Sequence, residues 1–354
     1  MEHVYASMDI GSDTIKVVVC ELCKNRLNLL AATSTKALGI KKSLIYKPEE
    51  AIASIQNALA EIESMLGVKL KKVIATIPNY QIEYKIIKGQ VNILGDTVSE
   101  NDILAIYKEG VKNNLPFDKE LVNIVPIDFK INDKTLMKDP KGFPGSKLAG
   151  RAMMIMSPKK NIYSVASVLE NVGIEIADVS VTSIGDMYAF KNKIIDDNIG
   201  AIINIGSEVT TVSLYNKGIP INTKTINMGG KDIDGDIAFM YKLNMEEAKT
   251  IKEKFALASL KHVNGKDKYE TTDTSGLKIK LNQREISEIV IARAEEILTL
   301  AKNEINHLTN REIQYIIVTG GSSNAMDFEN TVQSVLGPKA EIGKINMIGV
   351  RNNK

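Results

Sequence analysis

The sequence predicts an α/β fold with a repeated ligand-binding unit, and three glycine-containing turns support this prediction. The first turn, 11–14, lies between two apolar runs of the kind that form strands. The second, 206–210, repeats the same plan nearly two hundred residues later, and the third is Gly320-Gly321, after another apolar run. Two turns of one design, placed far apart in the chain, favour a ligand-binding role over an ordinary hairpin turn.

The first turn has the composition of a phosphate-binding loop. Gly11 is expected to take a positive φ and to let the backbone approach a ligand closely. The N–H groups of residues 11–14 can then converge on an anion as a nest. Lys16 adds a positive charge, and Asp9, at the strand end, can hold a cation through water. A polar hairpin turn without a ligand is the alternative that this stretch alone leaves open.

The second turn strengthens the ligand-binding interpretation because it repeats the first. Asn204 occupies the strand end that corresponds to Asp9, and Gly206, Ser207 and Thr210 follow it. A further glycine pair, 229–230, opens a predicted helix, and the N–H groups at a helix start favour an anion. These elements predict phosphate contacts from both turns.

The composition excludes several other classes of protein. The chain has 354 residues, 44% of them hydrophobic and 25% charged, which suits two or more domains of ordinary globular type. A net charge of +2 gives no reason to expect nucleic acid as a partner. The sequence contains neither an apolar run of the roughly 18 residues that a membrane span needs nor a signal-peptide pattern, so a cytoplasmic location is expected. The Cys20-x-x-Cys23 pair ends a strand and is expected to be reduced and structural.

Apolar runs and turns divide the chain into segments, and the likeness of their order to a known two-lobed fold implies four parts. Residues 1–79, 160–195 and about 337–354 are expected to form the core of the first lobe, and 196–230 with 301–336 the core of the second. Residues 231–300 are expected to form a helical subdomain on the second lobe. Residues 80–159 have their own apolar pattern and a helix capping box at Ser99 and Asp102, which predicts an inserted small α+β subdomain.

The three ordered turns resemble those of the actin/Hsp70/sugar-kinase superfamily, which implies a two-lobed fold that closes on ATP and Mg²⁺. Finer features are similar to the bacterial cell-division family FtsA: Gly229–Ile233, Ala248–Lys252, Ala292–Ile297 and Val318–Ser322, together with the subdomain at 80–159. This resemblance implies an actin-like protein that forms filaments, works with other division proteins and tethers FtsZ filaments to the cytoplasmic membrane at the division site. It also implies that the C-terminal peptide of FtsZ binds the subdomain at 231–300.

The resemblance assigns roles to individual residues. Asp9 matches the acid on the magnesium side, and Asp9 and Asn204 are the catalytic candidates. The residues expected to contact the nucleotide are Gly11, Ser12, Asp13, Thr14, Lys16, Gly206, Ser207, Thr210, Gly229, Gly230, Lys249, Lys252, Gly320, Gly321 and Asn324.

The sequence departs from the family pattern in three places. Asn204 stands where the family usually has Asp, and Lys249 where it usually has a Glu that contacts the ribose. Because Asn204 lacks the charge that helps to hold magnesium and to orient the attacking water, we expect ATP binding with weak or no hydrolysis. The alternative is that Asp9 alone positions the metal. The sequence also stops before the family's C-terminal amphipathic helix, so this chain is not expected to bind membranes by itself.

Three other functions within the superfamily remain open. A small-molecule kinase of this fold needs a catalytic acid between the lobes and a substrate-binding domain, and the subdomain at 80–159 has no place in that scheme. A rod-shape scaffold has a different subdomain at this point. Pilus-assembly scaffolds share the subdomain, and they are the alternative that is hardest to separate from cell-division proteins by sequence.

Overall fold

The computed structural model describes residues 4–24, 26–134 and 136–345. The strands are β1 (Val4–Ile10), β2 (Thr14–Cys23), β3 (Arg26–Lys36), β4 (Ile40–Lys41), β5 (Leu44–Ile45), β6 (Lys72–Thr76), β7 (Glu83–Asn92), β8 (Lys119–Ile131), β9 (Leu136–Met137), β10 (Lys147–Pro158), β11 (Glu175–Ser180), β12 (Ile199–Ile205), β13 (Thr210–Asn216), β14 (Ile219–Ile226), β15 (Lys268–Thr272), β16 (Lys278–Asn282), β17 (Tyr315–Thr319) and β18 (Ala340–Ile342). The α-helices are α1 (Pro48–Leu66), α2 (Glu100–Lys112), α3 (Lys159–Asn171), α4 (Thr182–Ala189), α5 (Lys193–Asp197), α6 (Gly230–Tyr241), α7 (Met245–Lys254), α8 (Gln283–Leu308) and α9 (Phe328–Leu336).

The first lobe is built on a five-stranded sheet in the order β11-β6-β1-β2-β3. The first three strands form an antiparallel meander, and β6 and β11 run parallel to β1. Helix α1 packs against the sheet through a fully buried face that includes Ile55 and Ile62. Pro48 occupies its first turn, and Gly67 ends it with a φ of 70°.

The second lobe repeats this plan in a sheet of order β14-β13-β12-β17-β18. Three antiparallel strands again come first, and β17 and β18 again run parallel to the first of them. Helices α8 and α9 precede β17 and β18, as α1 and α3 precede β6 and β11. The two-lobed α/β fold implied by the actin/Hsp70-like resemblance is therefore confirmed.

The C-terminal part of the described chain differs from the expected division into lobes. Residues about 337–354 were expected to complete the first lobe, but β18 pairs with β17 in the second sheet. The reason is the duplication itself, because β18 takes the place that β11 has in the first sheet. Gly343 then lies against Phe190, which belongs to the core of the first lobe. Residues 346–354 lie outside the described residues.

The inserted segment forms a separate antiparallel sheet, β7-β10-β8-β9, with α2 across it. The predicted capping box is present: Ser99 Oγ accepts from the Asp102 N–H, and the Asp102 carboxylate accepts from the Ser99 N–H. Glycine at position 89 allows close packing, since a Cβ there would lie 2.3 Å from the Ile106 carbonyl oxygen of α2. Pro126 does not break β8, because the irregularity beside it is absorbed as a bulge in the pairing with β10.

Two contacts join the lobes behind the cleft. The hydroxyl of Tyr215, on β13, donates to the Ser183 carbonyl of α4 at 2.8 Å. Tyr84 of the inserted subdomain lies 2.7 Å from both the Ser183 and Thr223 hydroxyls. Tyr215 is fully buried and Tyr84 is partly buried, so these hydrogen bonds connect the two lobes largely out of contact with solvent.

Two smaller sequence predictions can be compared with the structure. Cys20 is buried and Cys23 is exposed, and both are free thiols. Among the residues that the structure describes, no helix has the length and apolar content that crossing a bilayer requires.

Candidate functional site

A cavity of about 730 Å³ lies where the three glycine turns meet between the lobes. Most of the predicted site residues line it: Asp9, Gly11, Ser12, Asp13, Thr14, Lys16, Asn204, Gly206, Ser207, Gly230, Lys249, Lys252, Gly320, Gly321 and Asn324. Thr210 and Gly229 are not among the lining residues. The turns therefore face one space, as the resemblance to the actin/Hsp70 fold implied.

The two hairpin turns have the same local geometry. The Gly11 N–H donates to the Thr14 carbonyl at 3.1 Å, and the Gly206 N–H donates to the Val209 carbonyl at 2.9 Å. A Cβ would lie 2.8 Å from the carbonyl oxygen in the first turn and 2.9 Å in the second. The expected positive φ at Gly11 is wrong, because Gly11 is not among the residues with positive φ. Glycine is needed here because the turn is tight.

The turns present N–H groups that the protein itself does not use. Within the described residues, the N–H groups of Ser12, Asp13 and Ser207 have no protein acceptor. The Ser12 hydroxyl is already engaged, since it accepts from the Ser43 N–H at 2.8 Å. Unpaired backbone donors on both sides of one cavity are suited to an anion with several oxygens.

The start of α6 does not supply the anion contacts expected of it. The Gly230 N–H donates to the Gly206 carbonyl at 2.9 Å, and the Gly229 N–H donates to the Asp232 carboxylate at 2.7 Å. A Cβ on Gly229 would lie 2.5 Å from the Ser207 carbonyl oxygen. Thr210 is buried and donates to the Met228 carbonyl at 2.8 Å. These residues therefore hold the second turn in place, and their donors are not free to bind an anion.

The third turn packs against the second. Gly320 has a φ of 95°, and a Cβ on it would lie 2.4 Å from the Ile205 carbonyl oxygen. The Ser322 hydroxyl donates to the Gly206 carbonyl at 3.1 Å. Only glycine satisfies both the backbone conformation and the close approach at position 320.

The first-lobe wall of the cavity carries Asp9. Its carboxylate accepts a hydrogen bond from the Thr76 hydroxyl at 2.8 Å and is otherwise exposed to the cavity. Lys16 lies opposite Asp9 in the register of β1 and β2. A carboxylate oriented by one hydroxyl is free to meet a cation or its water shell.

Asn204 lies beside a buried acid that the sequence analysis did not select. Its Nδ2 donates to both oxygens of Asp186, on α4, at 3.3 and 3.4 Å. Burial raises the pKa of Asp186 to about 7, with the Asn204 hydrogen bond opposing this shift and the charge of Asp9 adding to it. Because Asp186 accepts both hydrogen bonds, this contact holds the amide of Asn204 with its nitrogen toward Asp186.

Helix α7 supplies two lysines with different partners. Lys249 Nζ donates to the Asp13 carboxylate at 2.7 Å, from the second lobe to the first turn. Lys252 Nζ lies 2.7 Å from the largely buried Asp234 carboxylate and donates to the Gly230 carbonyl at 3.0 Å. Lys252 therefore fixes α6 to α7, and Lys249 bridges the cleft.

Sequence reasoning missed several polar residues of the cavity: Thr76, Asn79, Thr182, Asp186, Asp234 and Ser322. Asp186 carried the clearest signal, since it is the only acid within the helix of mostly small and apolar residues that precedes the second turn. The others lie on elements whose approach to the cavity is set by tertiary packing.

Comparison with known proteins places this geometry in a family. A family model described as cell division protein FtsA matches residues 201–354, and one described as type IV pilus assembly protein PilM matches residues 7–261. The FtsA of Bacillus subtilis is 26% identical over 355 residues, covering 99% of this chain and 80% of that protein. The FtsA of Enterococcus hirae is 24% identical, with the same coverage.

Solved structures agree on the fold. A PilM–PilN type IV pilus biogenesis complex matches with a TM-score of 0.65 at 15% identity, covering 96% of this chain and 88% of that one. MreB5 of Spiroplasma citri bound to ADP matches with a TM-score of 0.59 at 14% identity, covering 97% and 92%. The chain therefore belongs to the actin-like ATPase superfamily, in the family whose model is described as type IV pilus assembly protein PilM, and it is similar along 99% of its length to cell-division FtsA proteins.

Proposed function

We propose that the chain binds ATP with Mg²⁺ in the cavity between the lobes. The observation that carries this proposal is the pair of matching turns, 11–14 and 206–210, with unpaired N–H groups facing one space of about 730 Å³. Phosphate groups would be held by these donors from both lobes. The nucleoside would extend toward α7 and the Gly320 turn, where Lys249, Lys252 and Asn324 line the wall.

The donor set of the cavity is compatible with magnesium. Mg²⁺ prefers oxygen ligands and keeps several of its waters, and Asp9 offers a carboxylate that is exposed to the cavity. When bound, the ion would neutralise charge on the phosphates. Asp9 would hold it or its water shell, and Thr76 keeps the carboxylate of Asp9 oriented.

A filling mutation tests this site without disturbing the turns. Gly185, on α4, is exposed at the cavity wall, and no atom lies within 4 Å of a Cβ built on it. Gly185→Phe is therefore expected to occupy the cavity and abolish ATP binding measured by calorimetry. Gly235→Phe is the matched control, because Gly235 is also helical with open space around its Cβ but does not line the cavity. Equal ATP affinity in both variants would contradict the site.

We propose further that this protein is an actin-like scaffold of cell division. It would self-associate into filaments, meet other division proteins and tether FtsZ filaments to the inner face of the membrane at the division site. The support is the FtsA identity of its curated relatives along 99% of the chain. The FtsZ C-terminal peptide would bind the subdomain at 231–300, where Phe239 and Met240 of α6 are 87% and 63% exposed.

The peptide proposal can be tested with a labelled FtsZ tail peptide and fluorescence anisotropy. Phe239→Ala with Met240→Ala is expected to weaken binding at least tenfold, since apolar anchors usually dominate such contacts. Leu94→Ala is the control, because Leu94 is 97% exposed but lies in the inserted subdomain. Arg293, on α8 of the same subdomain, is not expected to attract an acidic peptide strongly, because Asp236 and Glu296 already pair with it at 2.7 and 2.6 Å. Unchanged affinity in the double variant would place the peptide elsewhere.

A pilus-assembly scaffold is the second candidate function. The observation that favours it is the PilM family model, which matches residues 7–261 and includes the inserted subdomain. The same anisotropy assay separates the two functions when an FtsZ tail peptide and a PilN peptide are compared. Binding of the PilN peptide alone would favour pilus assembly.

Hydrolysis of bound ATP is proposed to be slow. At the strand end Asn204 offers an acceptor oxygen but no charged base to orient the attacking water, whereas binding rests largely on backbone donors. Phosphate release at saturating ATP should therefore stay far below that of active actin homologues. A rate comparable with those homologues would contradict this part of the proposal.

A further inference from the structure

We propose that Asp186 supplies the negative charge that Asn204 lacks, so that Asp186 and Asp9 together hold the magnesium ion of the bound nucleotide. This inference rests on the proposed nucleotide site and names a residue from α4 for it. Asp186 lines the cavity and is only 9% exposed. Among the hydrogen bonds of the described residues, its carboxylate accepts only those from the Asn204 amide.

The environment of Asp186 points to a cation that comes from outside the protein. Burying a carboxylate is costly unless it is paired with a positive charge. In the described part of the chain, no lysine or arginine forms an ion pair with Asp186, although Lys16, Lys249 and Lys252 line the same cavity. A magnesium ion brought in with the phosphates would provide that charge.

The geometry allows a carboxylate on α4 to replace a carboxylate at the end of β12, because the two side chains are in contact. The Asp186 oxygens lie 3.3 and 3.4 Å from Asn204 Nδ2, so the two side chains present their polar ends at one point of the cavity. An amide at position 204 and a carboxylate at position 186 together provide one negative charge. The reverse arrangement would provide the same charge about one hydrogen-bond length away.

This pairing also predicts that Asn204→Asp alone does not improve magnesium binding. Two carboxylates in direct contact cannot both ionise near neutral pH, so they would share a proton. The informative variant is the exchange, Asp186→Asn with Asn204→Asp, which restores a single carboxylate beside a single amide. Asp186→Asn by itself removes the charge and keeps the shape.

The test measures ATP affinity by calorimetry in excess Mg²⁺ and in excess EDTA, for the full chain and each variant. Wild type is expected to bind ATP more tightly with Mg²⁺. Asp186→Asn should reduce this magnesium-dependent gain about tenfold or more while leaving the affinity in EDTA unchanged or higher. The exchange variant should recover most of the gain. Glu253→Gln is the control, because it removes a carboxylate from another wall of the cavity and should change both affinities alike.

The outcomes separate this inference from the proposed function. If wild type binds no ATP, both are wrong. If wild type binds ATP and Asp186→Asn retains the full magnesium-dependent gain, the nucleotide site stands and the role of Asp186 is overturned. An exchange variant that folds, as judged by its thermal unfolding, but binds magnesium-ATP no better than Asp186→Asn would overturn it as well.

Discussion

At the scale of single residues, the phosphate turns depend on glycines that no other residue can replace without strain. A Cβ on Gly206 would lie 2.9 Å from the Val209 carbonyl oxygen, whereas a Cβ on Gly321 of the same cavity has no atom within 4 Å. Gly206→Ala should therefore lower the free energy of unfolding by about 1–3 kcal/mol, as overpacking generally does. Gly321→Ala should change it by much less, and urea unfolding measures both. Equal losses would show that the turn is less tight than described.

The buried acid Asp186 makes stability depend on pH. Its pKa is raised from the ordinary 3.8 to about 7 in the folded protein, so the unfolded chain releases this proton first. The free energy of unfolding therefore falls as pH rises from about 4 to 7, because the folded protein keeps the proton that the unfolded chain has lost. At 1.36 kcal/mol per pKa unit, the loss is roughly 4 kcal/mol. Asp9 and Tyr215 are the charged and titratable groups that face it.

Asp186→Asn removes this titration. The variant should gain stability over wild type as pH rises from 4 to 7, with no difference at pH 4, in urea unfolding without nucleotide. A difference between the two proteins that is the same at every pH would contradict the assignment.

At the scale of elements, helix α2 of the inserted subdomain depends on its capping box. Ser99→Ala leaves the Asp102 N–H without its side-chain acceptor and should cost about 1 kcal/mol. Ser99→Thr keeps the hydroxyl and should cost much less, so it serves as the matched control. Thermal unfolding followed by circular dichroism compares the two. A loss of the same size in Ser99→Thr would show that the hydroxyl is not the cause.

The sequence predicted elements well where the signal is local and poorly where it depends on distant partners. The strand–turn–strand units around Gly11 and Gly206 follow from adjacent residues, and so does the box at Ser99. The pairing of β18 with β17 joins segments that have no local signal for each other. The same limit applies to the start of α6, where the Gly230 N–H donates to the Gly206 carbonyl, twenty-four residues earlier in the chain. Nothing in the local sequence could show that the face of α4 that carries Asp186 meets the cleft.

At the scale of the whole molecule, two ion pairs and one hydrogen bond to a carboxylate connect the lobes across the cleft. Lys249 pairs with Asp13, Lys36 with Glu246, and the Lys42 N–H donates to the Glu208 carboxylate at 2.7 Å. Lys36 and Glu246 are largely exposed and Lys249 and Asp13 are partly exposed, so each ion pair contributes about 1 kcal/mol or less and the closed state is only modestly favoured. A Glu at position 249 would instead meet Asp13 with a like charge.

Lys249→Glu should therefore open the lobes in part when no nucleotide is bound. Small-angle X-ray scattering at low salt should give a larger radius of gyration for this variant than for wild type. Lys254→Glu, on the same helix, makes the same charge change, but no described ion pair includes Lys254. An equal expansion in both variants would attribute the effect to net charge, not to the contact with Asp13.

The central claim is that the two matching turns hold the phosphates of one nucleotide, and a crystal structure with a non-hydrolysable ATP analogue and Mg²⁺ tests it most directly. We predict that the phosphates lie between residues 11–14 and 206–210, within hydrogen-bond distance of the unpaired N–H groups of Ser12 and Ser207. The adenine should lie toward α7 and the Gly320 turn. Phosphates bound away from either turn, or a cavity that stays empty at saturating analogue, would contradict the account.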